Sequence, residues 1–152
     1  MSTYLGTELT STLKDLFDQR ISTVIVATLD RDLHPHTAPF HYIVVCNPGR
    51  LRLAVSKELL TYRHIADNAY VALAVLEEGD VAVCIKGSAR VVLPKMDCDC
   101  NMAVVEVEID EIRRDNSQSH YVTQGIRIRH RDEAHLLEAR KIFLELTRSC
   151  QS

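Results

Sequence analysis

His34, His36 and His41 are the residues whose types and spacing come nearest to a metal site. His34 and His36 fall on one face at the end of a predicted strand. A zinc site needs a third or fourth ligand of matching geometry, and neither an HExxH nor a CxxC pattern occurs. The three are therefore read as polar strand-end residues, and no metal is expected. Cys98-Asp99-Cys100 is a CxC in a predicted hairpin loop, where adjacent acids oppose thiolate formation. Cys46 and Cys84 read as core residues and Cys150 as a tail residue. Ser56 and Thr61 stand at the start of a short predicted helix, where hydroxyl residues are favoured by capping alone. Lys86 faces Glu106 or Glu108 across a predicted strand pair, which suits a plain ion pair. No nucleophile–base triad or paired-carboxylate motif is present, so no catalytic residue is assigned.

The elements that must position these residues follow from periodicity. Leu9, Leu13, Leu16 and Phe17 lie at helical spacing, with Thr7 or Thr10 as N-cap and an end near Arg20. Thr23 to Leu29 is β-branched and apolar, a buried strand. Asp30 to Leu33 is a turn. His36 to Cys46 reads as one strand, closed by Asn47-Pro48-Gly49. Leu51, Leu53 and Val55 alternate with Arg50, Arg52 and Ala54. Leu59 to Asn68 has helical spacing, Tyr70 to Leu76 is a strand, and Glu77 to Asp80 is a hairpin turn. Val81 to Val91 and Val105 to Ile109 are predicted antiparallel neighbours whose polar faces carry opposite charge. Asp115 to His120 reads as loop. Ala134 to Thr147 is a second amphipathic helix, capped by Asp132, with Leu136, Ala139, Phe143 and Leu146 facing inward. The expectation is a mainly β (α+β) chain: a six-stranded antiparallel split β-barrel with flanking helices. It forms one domain over 1–152, with an N-terminal helix in 1–21, the barrel in 22–112 and a C-terminal helix in 132–148.

Composition limits the function classes. The 152 residues suit one domain, and 46 % hydrophobic with 26 % charged residues is an ordinary globular mix. Lys plus Arg against Asp plus Glu gives 18 − 21 = −3. The densest basic run, Arg127 to Arg131, is cut short by Asp132 and Glu133, so no nucleic-acid partner is expected. No apolar run approaches the ~20 residues of a membrane helix. The first residues lack the pattern of a signal peptide. The five cysteines are not spaced like a disulfide-stapled small domain. A cytoplasmic location is expected.

The order and residues of the 22–112 stretch resemble the FMN-binding split barrel of the pyridoxamine 5'-phosphate oxidase-like superfamily. Val26-Ala27-Thr28-Leu29-Asp30 followed by His34-Pro35-His36-Thr37-Ala38-Pro39 is similar to the family's first hairpin. Ser56, the short helix, Asn68 and Val71-Ala72-Leu73 are similar to its third strand, helix and fourth strand. Ile85-Lys86-Gly87-Ser88-Ala89-Arg90-Val91 is similar to its fifth strand.

The resemblance implies an FMN cofactor at the interface of a C2 homodimer. It places the isoalloxazine along the second strand, at Pro39, Phe40, His41 and Tyr42, where a histidine can hydrogen-bond or protonate a substrate. It places the phosphate near Val55, Ser56, Lys57, Thr61 and Arg63, at a helix start that favours anions. Lys86 is a further candidate cation. Leu60 and Thr61 occupy positions where the family often has Arg or Lys. The C-terminal Trp- and Arg-bearing segment of true pyridoxamine phosphate oxidases is absent, since the chain has no Trp. The expected function is therefore a flavin-dependent oxidoreductase or electron carrier acting on a small molecule, not a true pyridoxamine phosphate oxidase. The alternative is a non-enzymatic flavin- or haem-binding module of the same fold.

Overall fold

The computed structural model describes residues 2–19 and 23–151. Eleven elements follow in order: β1 (Thr3–Gly6), α1 (Ser11–Asp18), β2 (Val24–Leu29), β3 (Pro35–Phe40), β4 (Ile43–Asn47), β5 (Arg50–Ser56), α2 (Leu60–Asp67), β6 (Tyr70–Glu77), β7 (Val81–Leu93), β8 (Met102–Arg114) and α3 (Glu133–Ser149). The strands form one antiparallel sheet in the order β3-β2-β6-β7-β8-β5-β4, with β1 added to β8. Among the described residues β3 and β4 do not pair, so the sheet curls without closing.

Eight strands are described rather than six. His36 to Cys46 is not continuous: β3 ends at Phe40 and β4 starts at Ile43, with His41 and Tyr42 between them. Aromatic and β-branched residues run through the break, so propensity alone hides it. β1 is too short to show a period. It is held by pairing with the far end of β8. Thr10, not Thr7, caps α1, accepting a hydrogen bond from Leu13 N. The expected helix end at Arg20 and barrel start at Ser22 lie outside the described residues. α3 carries the expected Asp132 cap, but Ile142 joins Ala139 and Leu146 as its buried residues while Phe143 is half-buried.

The larger core fills the curl, with Leu13 and Phe17 of α1 and Ile65 of α2 packed on inward residues such as Val24, Leu53, Leu73, Ile85 and Ile112. Each such side chain stabilises the fold by roughly 1.5–3 kcal/mol. A second core lies outside the curl, where Ile142 and Leu146 of α3 pack on Val44, Ala54, Met96 and Val104. α3 thus covers the outer face of β4, β5 and β8.

The cysteine expectation is corrected. Cys46 at the end of β4 and Cys150 after α3 form a disulfide, with Cα atoms 5.1 Å apart across 104 residues of sequence. Cys46 is a half-buried anchor for α3, and Cys150 is not a loose tail. Sequence spacing missed the bond because only folding brings the two ends together. With these two joined, the cysteine count no longer speaks for a reducing compartment. No helix among the described residues is long and apolar enough to cross a membrane.

Candidate functional site

β5 delivers the chain to the start of α2. Ser56 Oγ accepts from Glu58 N at 3.3 Å, and Ser56 O accepts from Leu59 N. The N-cap residue is Leu59, which has no side-chain acceptor, so no side chain caps the first turn. Thr61 lies in that turn and is only 1 % exposed. Its hydroxyl is buried and has no hydrogen-bond partner among the described residues. Lys57 and Arg63 flank it, and neither makes an ion pair among the described residues. The far half of α2 is tied down. His64 Nδ1 lies 2.9 Å from Thr28 Oγ1, its ring meets His36 edge-on, and Arg31 pairs with Asp67 at 3.1 Å. These ties fix where the helix start points.

His41 and Tyr42 form the break between β3 and β4, beside the second half of β5. Tyr42 O accepts from Ala54 N at 3.1 Å, next to Val55 and Ser56. Val55 is fully buried and offers only its backbone; Phe40 is buried and Pro39 exposed. His41 Nδ1 lies 2.9 Å from Thr23 Oγ1. Burial, and then the nearby His130, lower the His41 pKa. Burial, and then Glu138, raise that of Tyr42, whose ring meets Phe143 edge-on at 5.4 Å. The three histidines do not converge. His34 stands 3.7 Å from Asp30, and Asp30 already accepts the N–H groups of Asp32 and His34 to shape the turn.

Lys86 does not pair with Glu106 or Glu108. Glu106 is taken by Arg52 and Arg90, and Lys86 stands in register with Glu111. The β7–β8 register shifts between Lys86 and Gly87, leaving Asp110 as the extra residue of a bulge. Gly87 permits the close approach, since a Cβ there would overlap Glu108 O. Lys86 and Asp110 line an outer-face groove of about 390 Å³ with Ala27, Leu29, Tyr70 and Ala72. That volume is within the range of small-molecule sites.

The structure therefore sets Tyr42 against Ala54, next to Val55 and Ser56, places Thr61 and Arg63 on α2, and puts Lys86 in the groove. Sequence reasoning missed Asp110 and Tyr70 of that groove. One signal was available: β2 and β6 are apolar on both faces. Ile25, Ala27 and Leu29, with Ala72, Ala74 and Leu76, point outward, and among the described residues no helix covers them as α3 covers the other half.

A family model described as pyridoxamine 5'-phosphate oxidase matches residues 9–119, most of the chain. The chain belongs to the pyridoxamine 5'-phosphate oxidase family. Solved structures agree on the fold. A putative pyridoxamine 5'-phosphate oxidase from Lactobacillus delbrueckii is 26 % identical, covers 72 % of this chain and 98 % of its own, and has a TM-score of 0.62. HupZ of Group A Streptococcus is 18 % identical, covers 76 % and 98 %, and has a TM-score of 0.60. An FMN-binding protein from Syntrophomonas wolfei is 13 % identical, covers 65 % and 80 %, and has a TM-score of 0.55. No curated protein matches this family member by sequence. The split-barrel expectation from the first hairpin, short helix and fifth strand is thus borne out in this member, with eight strands in an unclosed sheet.

Proposed function

We propose that this family member binds FMN and works as a flavin-dependent oxidoreductase or electron carrier on a small molecule. The observation that carries this is the Thr61 hydroxyl, buried and unpartnered in the first turn of a helix that no side chain caps. Buried polar groups are rarely left unmatched, and an uncapped helix start favours a phosphate. Lys57 and Arg63 supply charge on either side, in place of the Arg or Lys that Leu60 and Thr61 replace. The donor set therefore fits a flavin phosphate. The FMN-binding neighbour from Syntrophomonas wolfei supports the same choice at the level of fold.

Bound FMN would supply the hydride or electron chemistry, and the protein would supply binding and orientation. The α2 start holds the phosphate end. The Pro39–Tyr42 segment would lie along the ring edge, where Pro39 has no N–H to give and the Tyr42 C=O already accepts from Ala54 N. His41, with its lowered pKa, is neutral near pH 7 and accepts or relays a proton rather than carrying a fixed charge.

The uncovered apolar face of β2 and β6 supports a C2 homodimer, because an exposed face of this kind marks an interface. The test is direct. Purified protein should be yellow, or its apo form should take up added FMN, and light scattering should report a dimer. Bleaching by NADH or NADPH would assign oxidoreductase activity. Colourless protein that ignores added FMN would overturn the proposal.

A further inference from the structure

The segment after β8, residues 115–131, crosses the barrel edge as a strap held on both sides of its basic run. Upstream, Asp80 N donates to Val122 O at 3.1 Å, and Val122 N donates to Asp80 Oδ1 at 2.9 Å. Gly125 N donates to Glu77 Oε1 at 3.2 Å, and Arg127 Nη2 lies 2.8 Å from the same oxygen. Gly125 is needed there, since a Cβ would overlap Leu76 O. Downstream, Asp132 caps α3 by accepting from His135 N at 2.9 Å. Ile128 to Arg131 is suspended between these two fixed points.

Beneath it lies a cavity of about 630 Å³. Arg129, Arg131, His41, His130 and His135 line it, and among the described residues no carboxylate does, the nearest being Asp132 on His135 and Glu138 near Tyr42. The charge of Arg127 is met by Glu77 and Glu78, whereas Arg129 and Arg131 make no ion pair among the described residues. Asp132 is engaged with His135. The remaining wall is apolar, with Ile128 and the edge-on rings of Tyr42 and Phe143. The two unpaired guanidinium groups at a concave site concentrate positive potential and attract the opposite charge.

We propose that this cavity binds a small organic oxyanion, a phosphate- or carboxylate-bearing molecule with an apolar body. The guanidinium forks of Arg129 and Arg131 match either oxyanion. Tyr42 and Phe143 receive the apolar part, and His41 stands at the inner wall. Burial, and then His130, lower the His41 pKa at this wall. The cavity shares His41 and Tyr42 with the segment that the flavin proposal sets against the ring, whereas Arg129 and Arg131 lie outside that segment.

The test titrates the purified protein with phenyl phosphate, benzoate and inorganic phosphate, read by calorimetry and by the imidazole NMR signals of His41 and His135. Phenyl phosphate or benzoate should bind saturably, more tightly than inorganic phosphate, and the stronger of the two identifies the oxyanion. The double variant Arg129→Ala with Arg131→Ala changes exposed residues, so it should keep its melting temperature. It should weaken binding about tenfold or more. No saturable binding of either organic anion, or an unchanged dissociation constant in the double variant, overturns the proposal. FMN uptake, followed by absorbance, should be unaffected in that variant. Its loss together with anion binding would assign the cavity to the flavin and overturn a separate site. Anion binding by a protein that takes up no FMN would support the cavity while ending the flavin proposal.

Discussion

Arg52 holds Glu106 through Nε and Nη2, at 3.1 and 3.0 Å from one carboxylate oxygen. Arg90 grips the other oxygen at 3.2 and 2.9 Å, and the Glu106 side chain is only 4 % exposed. Arg52 also donates to Ser149 O, so one residue ties β5 to β8 and to the end of α3. Burial alone would raise the Glu106 pKa, but the bonds and charges of the arginines outweigh it, and the pKa is lowered. At Glu77 burial likewise opposes Arg127 and the N–H groups of Glu78 and Gly125, with the same net lowering.

A carboxylate with a lowered folded pKa stabilises the fold above its unfolded value and loses that contribution as pH falls through the folded value. Stability should therefore hold at neutral pH and decline below about 4.5, the ordinary value for glutamate. Glu106→Gln should cost about 3 kcal/mol at neutral pH, because it leaves Arg52 buried without its partner. It should also flatten the acid decline. Urea unfolding midpoints across that range check both, and an acid slope equal to the parent's would remove Glu106 from its cause.

Thr61→Val replaces an unpartnered buried hydroxyl with a methyl of the same shape. The change should be neutral or slightly stabilising without flavin, since no hydrogen bond is lost. It should weaken FMN binding by about tenfold if the hydroxyl meets the phosphate. Thermal melting and a flavin titration on one preparation separate the two effects. Equal affinity in the variant would rule Thr61 out as a phosphate contact.

Ala74 lies on the outward face of β6, level with Ile25 of β2. Ala74→Arg should leave the monomer folded, because the position is exposed. It should shift a dimer to monomer by burying an unpaired charge at the interface. Light scattering with far-UV circular dichroism reads both properties. A dimer of unchanged stability would place the interface elsewhere.

Cys150→Ser removes the link between β4 and α3. Losing a native disulfide of this kind should cost about 2–5 kcal/mol in unfolding free energy. A reductant should produce the same loss in the parent protein and no further loss in the variant. Denaturant curves with and without dithiothreitol decide the matter.

Much of the fold was legible because its signals are local. Alternation in β5 and β7, the turn at Glu77 to Asp80, and the Thr10 and Asp132 caps each act within a few residues. For the same reason the grouping of Ser56, Lys57, Thr61 and Arg63 around one helix start was legible, since they are near in sequence. The break at His41 and Tyr42 was not, since β-forming residues run through it. Nor was Lys86, whose surroundings depend on a one-residue register shift in β8.

The sequence by itself determined the family, the three helices and most of the strands in their order. Hydrophobic period, capping and turn chemistry require no knowledge of distant residues. Tertiary structure alone decided that Cys46 meets Cys150, that Glu77 pins Arg127 and Gly125, and that Arg129 and Arg131 overhang His41. These partners stand tens of residues apart. Chain closure brings them together, and the residues themselves carry no local mark of which partner folding will supply.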